Sequence, residues 1–188
     1  MNIDKKLNLA IPLPRANGQV IHIHSQPISE QVFDQHFEII AQTHTMLFSG
    51  GYGAQSGPRI AAKLMKKIAT EENVWDGAMG VAATLMAEIK RLTNVLMPTG
   101  SEFPMLPFDM AIKRGVMSPK EADIVENAIV FFIVVSAMQR EAVAGPLLEA
   151  MAGMWGAQIT SLNSTEFVRS LMTSTETDSS GETQAKAS

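Results

Sequence analysis

The stretch "AIVFFIVVSAM", Ala128 to Met138, constrains this chain more than any other. A helix that is apolar on every side is stable only where other elements surround it. Its middle, Ala128 to Val135, must therefore be the centre of a core or of a subunit interface. It is far short of the roughly 20 apolar residues that span a bilayer. The residues before it carry a helix start: Ser118-Pro119-Lys120-Glu121 joins a serine N-cap, a proline at the first helical position and a glutamate at the third, the pattern of a capping box. Gly145-Pro146 is expected to break that helix, and "PLLEAMAGMW" to resume a short one.

The flanking segments supply candidate partners for it. "LNLAIPLPRANGQVIHIHS" reads as a β-hairpin at about residues 9–24 that turns at Asn17-Gly18. Pro12 and Pro14 cannot donate ladder bonds, so the first arm is expected at an edge or only partly paired. In the second arm Ile21 and Ile23 point one way, and Val20, His22 and His24 the other. From Pro27 the period is helical, with Phe33, Phe37, Ile40, His44 and Leu47 on one face and Val32, Ile39 and Met46 on a neighbouring one. A second helix is expected from Pro58, with Ile60, Leu64 and Ile68 in line. A third carries Ala78, Ala82, Leu85, Ile89, Leu92 and Leu96 in a seam that ends at Pro98. "TGSEFPMLPFDMAIKRG" reads as a loop and one short helix, and Asn163-Ser164-Thr165-Glu166 repeats the cap-plus-glutamate pattern before "FVRSLM". After Met172 the text is polar and without period. The expected fold is mainly α, a compact domain over 1–172 of about five to seven helices with an N-terminal β-hairpin, followed by a disordered tail over 173–188.

Composition excludes several kinds of chemistry. There is no cysteine, so disulfides, thiolate catalysis and the common structural zinc sites are out. A net charge of −4 with 18% charged residues calls for neither nucleic acid nor an anionic membrane as partner. The amino terminus lacks the continuous apolar core of a secretory signal, which leads us to expect a soluble protein. The 13 methionines suit irregular cores and adaptable binding surfaces alike.

The glycine-rich stretch "SGGYGAQSGPR" asks whether it cradles phosphate. A helix precedes it and Pro-Arg follows, whereas a phosphate loop needs a preceding strand and a closing Gly-Lys-Ser/Thr. Amides near Pro58, with Arg59, could hold an anion. The stronger expectation is that the glycines end one helix and permit the reversal into the next. His22 and His24, two apart on one strand face, could give two metal ligands, with His36 or His44 as a third, and so a small metal-dependent hydrolase. Strand histidines facing solvent or an interface are the default, with His44 a hydrogen-bonded core residue. Arg59, Lys63, Lys66 and Lys67 give one helix a basic flank, read as a solvated face. No catalytic residue, cofactor or metal ligand is assigned.

Taken in order, "VIHIHSQPISEQVFDQHFEIIAQT", "GPRIAAKLM", "MAEIKRLTNVLMP", "LPFDMAIKRGVMSPKEADIVENAIVFFIVVSAM" and "TSLNSTEFVRSLMTST" resemble a tail assembly chaperone of long-tailed bacteriophages, over about residues 10 to 175. The resemblance implies a non-enzymatic, mostly helical protein of the infected host cytoplasm. Such a protein binds the tape measure protein, recruits tail tube subunits and is absent from the mature virion; self-association is a further partner option for this chain. It also implies a longer form made by ribosomal frameshifting, for which the segment after Thr173 is the natural point of attachment. A structural virion protein of head or tail is the alternative. Leu162, Phe167, Val168 and Leu171 are expected to form a weakly docked amphipathic segment for partner or self contacts, against the option of a last helix packed on its own core.

Overall fold

The fold is given by a computed structural model that describes residues 7–71, 81–99, 102–139, 141–154 and 156–181. Its centre is the apolar segment. Helix α5 (Pro119–Met138) buries every side chain from Ile129 to Val135. The capping box forms as expected: Ser118 Oγ accepts from the Glu121 amide and the Glu121 carboxylate accepts from the Ser118 amide. Glu121 also pairs with Arg15 of the hairpin turn, whose guanidinium donates to the Val116 carbonyl at 2.7 Å as well. The helix start and the hairpin are thereby tied together.

Helices α1 (Glu30–Ser49), α2 (Gly53–Glu71), α3 (Val81–Arg91) and α6 (Glu141–Met154) pack around α5, and α4 (Phe108–Lys113) adds Phe108 and Ala111 to the same core. The basic flank of α2 is not simply solvated. Lys63 reaches Asp123 of α5 at 2.9 Å, and Lys66 pairs with Glu126. Between these chains the buried Asn127 side chain accepts from the Ala62 amide at 3.1 Å and donates to the Asp123 carbonyl at 2.7 Å.

The glycine stretch is a helix connection, as expected. Gly50 caps α1, and Gly51 and Gly53 take positive φ in the reversal. Gly57 has a different use: a Cβ placed there would lie 2.2 Å from the Phe131 ring, so only glycine lets that ring rest on the α2 backbone. The start of α2 differs from the expectation. It begins at Gly53, and Pro58 falls inside the helix, where the chain forgoes one backbone bond rather than ending. The amides near Pro58 are thus not a free helix terminus for an anion. The same holds at Gly145-Pro146, which lies within α6; the break falls instead at Gln139, whose backbone is extended.

Helix α1 also corrects the sequence. Ile39, Ile40, Thr43 and Leu47 are buried, whereas Phe37 is 58% exposed and Met46 38% exposed. His36 has non-helical angles (φ −125°, ψ 16°), and that kink shifts the face of the first turns relative to the rest, which a uniform period cannot anticipate.

The largest correction is the sheet. The mainly α expectation with a lone hairpin gives way to a mixed fold in which β1 (Asn8–Pro14), β2 (Val20–Ser25), β3 (Thr93–Leu96), β4 (Met105–Pro107) and β5 (Gln158–Thr160) form one antiparallel sheet in the order β4-β3-β2-β1-β5. The third helix therefore ends at Arg91, not Pro98. Thr93 to Leu96 pair with Ser25 to His22, and of its seam Ala78 lies outside the described residues. Strand β1 is partly paired on its far side, because β5 meets only Asn8, Leu9 and Ala10 and stops before Pro12. The sheet faces divide as the alternation requires: Leu9, Ile11, Ile21, Ile23 and Val95 enter the main core, while Ala10 and Leu96 belong to a second cluster on the opposite face. Helix α7 (Ser164–Gly181) covers that opposite face.

Helix α7 runs through nine residues of the segment expected to be a disordered tail, from Thr173 to Gly181, while 182–188 lie outside the described residues. Once a helix is nucleated by a cap and a docked first turn, each added residue costs little, and polar composition alone does not stop it.

The close approach of α5 to α2 has a measurable consequence. Gly57→Ala should lower the unfolding free energy in urea by about 1–3 kcal/mol, because the new methyl must displace the Phe131 ring. Gly153→Ala, which meets nothing within 4 Å, should stay within about 0.5 kcal/mol of the parent. Equal effects at the two sites would contradict this packing.

Candidate functional site

Two features have the makings of a site, one on each side of the sheet. On the core side β1, α5, α6 and β5 leave an apolar pocket of about 130 Å³. Leu9, Ile11, Phe131, Phe132, Leu148 and Met151 are among its walls, and every lining residue among those described is apolar. The hairpin supplies its side by strand alternation, and α5 supplies successive turns through Ile124, Ala128 and Phe131. Ile124 is 46% exposed, so the pocket reaches the surface at that residue. With no carboxylate, imidazole or hydroxyl in its wall among the described residues, the pocket is suited to taking an aliphatic or aromatic group rather than to moving a proton.

On the other side lies the berth of α7. Asn163 is its N-cap: the side-chain oxygen accepts from the Thr165 and Glu166 amides at 3.0 Å each, and the Glu166 carboxylate accepts from the Asn163 amide at 3.0 Å. That reciprocal cap, legible in the sequence, places Ser164, Phe167, Val168 and Leu171 on one face, at i, i+3, i+4 and i+7. Phe167 and Val168 are buried and Leu162 and Leu171 partly so, in a cluster with Ala10 and Leu96 of the sheet and Phe103 before β4. The four residues expected to offer partner contacts are thus brought together, and they rest on the chain's own sheet.

His24 is fully buried at the centre of this contact. The Leu162 carbonyl, 3.0 Å from Nε2, can only accept, so Nε2 carries the proton. Nδ1 is then the acceptor for the Ser164 hydroxyl at 3.0 Å. Asn8 Nδ2 donates to the same Leu162 carbonyl at 3.1 Å, so both of its lone pairs are used. The His24 ring also packs on Phe167 at 5.4 Å between centroids, and His22 meets Phe167 at 5.8 Å and Phe103 at 6.5 Å.

This geometry changes the account of the histidines. Neither ring nitrogen of His24 keeps a lone pair for a metal. His36 and His44 lie on α1, in the layer on the other face of the sheet. Among the described residues no three or more His, Cys, Asp or Glu side chains gather at metal-binding distance. His44 meets Gln139 through Nε2 at 3.3 Å, in keeping with a hydrogen-bonded, half-buried residue. The pocket was not foreseen. Each of its walls reads as ordinary core in the sequence, and only their assembly leaves a space.

No family model matches the chain, and no curated protein or solved structure matches it.

Burial pushes His24 below the ordinary histidine value, with the Leu162 hydrogen bond acting in the opposite sense. The groups facing it are neutral: Ala10 from β1, Asn94 from β3, and Ser164 and Phe167 from α7. The other titratable group on its face is His22, also lowered by burial, while Glu166 and Arg169 are exposed on α7. Above about pH 6.5 folded and unfolded chains are both neutral at this position. Below it the unfolded chain takes up a proton that the folded one refuses, so stability should fall as pH drops toward the lowered value. The proton NMR titration of the His24 ring should therefore have its midpoint below 6.5, and the unfolding free energy should decrease between pH 7.5 and 5.5. A midpoint at or above 6.5 would contradict the neutral tautomer.

Proposed function

We propose that this chain is a non-enzymatic assembly chaperone of bacteriophage tail morphogenesis, which binds the tape measure protein and recruits tail tube subunits in the host cytoplasm. The pocket lined by apolar residues that opens beside Ile124 carries the proposal. Its chemistry is that of a holder of apolar side chains, as a protein that escorts a long amphipathic helix requires. The ordered sequence segments that resemble tail assembly chaperones give the partner its identity.

In this account a side chain of the tape measure helix enters between α5 and α6, and neighbouring residues of that helix lie along the exposed part of α5 around Ile124. Binding of this kind gives affinity by removing apolar area from water, at about 25 cal/mol per Å² before the ordering costs of association.

The test is co-expression with the tape measure and tail tube proteins, followed by affinity purification. Both should be recovered with the parent chain. Ile124→Asp, a change at a half-exposed site that the fold should tolerate, should reduce recovery of the tape measure at least tenfold while leaving the circular dichroism spectrum unaltered. Recovery of neither partner with the parent chain would overturn the proposal.

A further inference from the structure

The α7 berth is built as a helix-binding surface in its own right. Its floor consists of Ala10, His22, His24 and Leu96, on strands whose opposite face is locked into the main core through Ile11, Ile21, Ile23 and Val95. The floor is therefore held in shape by contacts that do not involve α7. The apolar contacts of α7 form a cluster separate from that core, so the helix can leave without opening it.

The floor is also wider than α7 covers. Met105 of β4 is paired with Leu96, and so lies on the same face, yet it is 47% exposed. An apolar side chain at the open edge of an otherwise covered surface is a place where a second helix can make first contact before the resident one has left.

We propose that α7 is an autoinhibitory strap on this berth, exchanged for an amphipathic helix of the partner that enters over Met105. The resident helix defines the chemistry of its competitor. It carries a hydroxyl at i for His24 Nδ1, an aromatic ring at i+3 to lie against His22 and His24, and aliphatic groups at i+4 and i+7. The exchange rests on the assignment of the chain as a binder of helical proteins, but it concerns a surface on the other side of the sheet from the pocket.

A fluorescent peptide of residues 160–174, the chain's own docking sequence, is the probe. Its binding to the full chain is followed by anisotropy. The parent protein should bind it weakly, because α7 competes from within the same molecule. Phe167→Ala in the protein weakens the resident helix and leaves the floor intact, so it should bind the peptide at least tenfold more tightly. Met105→Asp added to Phe167→Ala, at an edge that the docked helix leaves exposed, should slow association of the peptide severalfold while changing the equilibrium affinity little. Ser164→Ala, which deletes the hydroxyl that meets His24 and Gln26, gives a milder second route to the same release and should raise affinity in the same direction.

Equal affinity of the parent and both release variants, or no binding to any, would overturn the exchange. So would dimers of the Phe167→Ala chain that the peptide does not dissociate, since a second copy would then be the occupant. Ile124→Asp should leave peptide binding unchanged, so a failure here leaves the pocket account standing, and a failure of the co-purification leaves the strap standing.

Discussion

The burial of α5 is the interaction on which everything else depends. From Ile129 to Val135 the helix has no polar side, and each large side chain it buries contributes on the order of 1.5–3 kcal/mol relative to exposure. No single partner can cover such a helix. Four helices and the inner face of the sheet surround it, and the approach on one side is so close that Gly57 must lack a side chain for Phe131 to fit. The polar contacts are arranged at the edges of this core. Ser118, Glu121 and Arg15 anchor the start of the helix, and Asn127 meets the amides of α2 where a hydrogen-bond acceptor is needed.

A core of that kind fixes one face of the sheet and leaves the other to be covered more lightly. The outer face carries two histidines where the inner face carries isoleucines, and α7 meets it with one ring, a few aliphatic side chains and a serine. His24 has both nitrogens committed, so the contact is specific in geometry. It is small in area compared with the core. That contrast, a rigid inner layer and a lightly held outer helix, permits part of the molecule to move without loss of the fold. The pocket beside Ile124 belongs to the rigid layer, and the two candidate surfaces therefore differ in kind: one is preformed and open, the other preformed and occupied.

Much of this was legible in the sequence. The all-apolar helix and its capping box, the hairpin with its split faces, the glycine reversal and the cap at Asn163 all follow from local rules, and each appears in the fold. What escaped was set by tertiary contacts. Strands β3, β4 and β5 are too short to show a period of two, and Thr93 to Leu96 continue an apolar spacing that suits a helix until β2 offers them hydrogen bonds. Pro58 looks like a helix start and Pro146 like a break, yet both are absorbed inside helices packed on α5. The kink at His36 left no mark in the local pattern. Of the candidate sites, the grouping of Leu162, Phe167, Val168 and Leu171 was readable because it needs only helical spacing. The role of His24 was not, because its partners lie some 140 residues away in the chain.

Native-state hydrogen exchange, resolved by residue, measures the separation between layers most directly. The account predicts that amides in the middle of α5 and in β2 exchange only through global unfolding, with rates that respond steeply to added denaturant. Amides of α7 beyond Phe167 should exchange orders of magnitude faster and with little dependence on denaturant, through an opening that leaves α5 protected. If α7 and α5 instead exchange with one common free energy and one common denaturant dependence, the outer helix is part of the core, and the division of the molecule into a rigid layer and a releasable strap is contradicted.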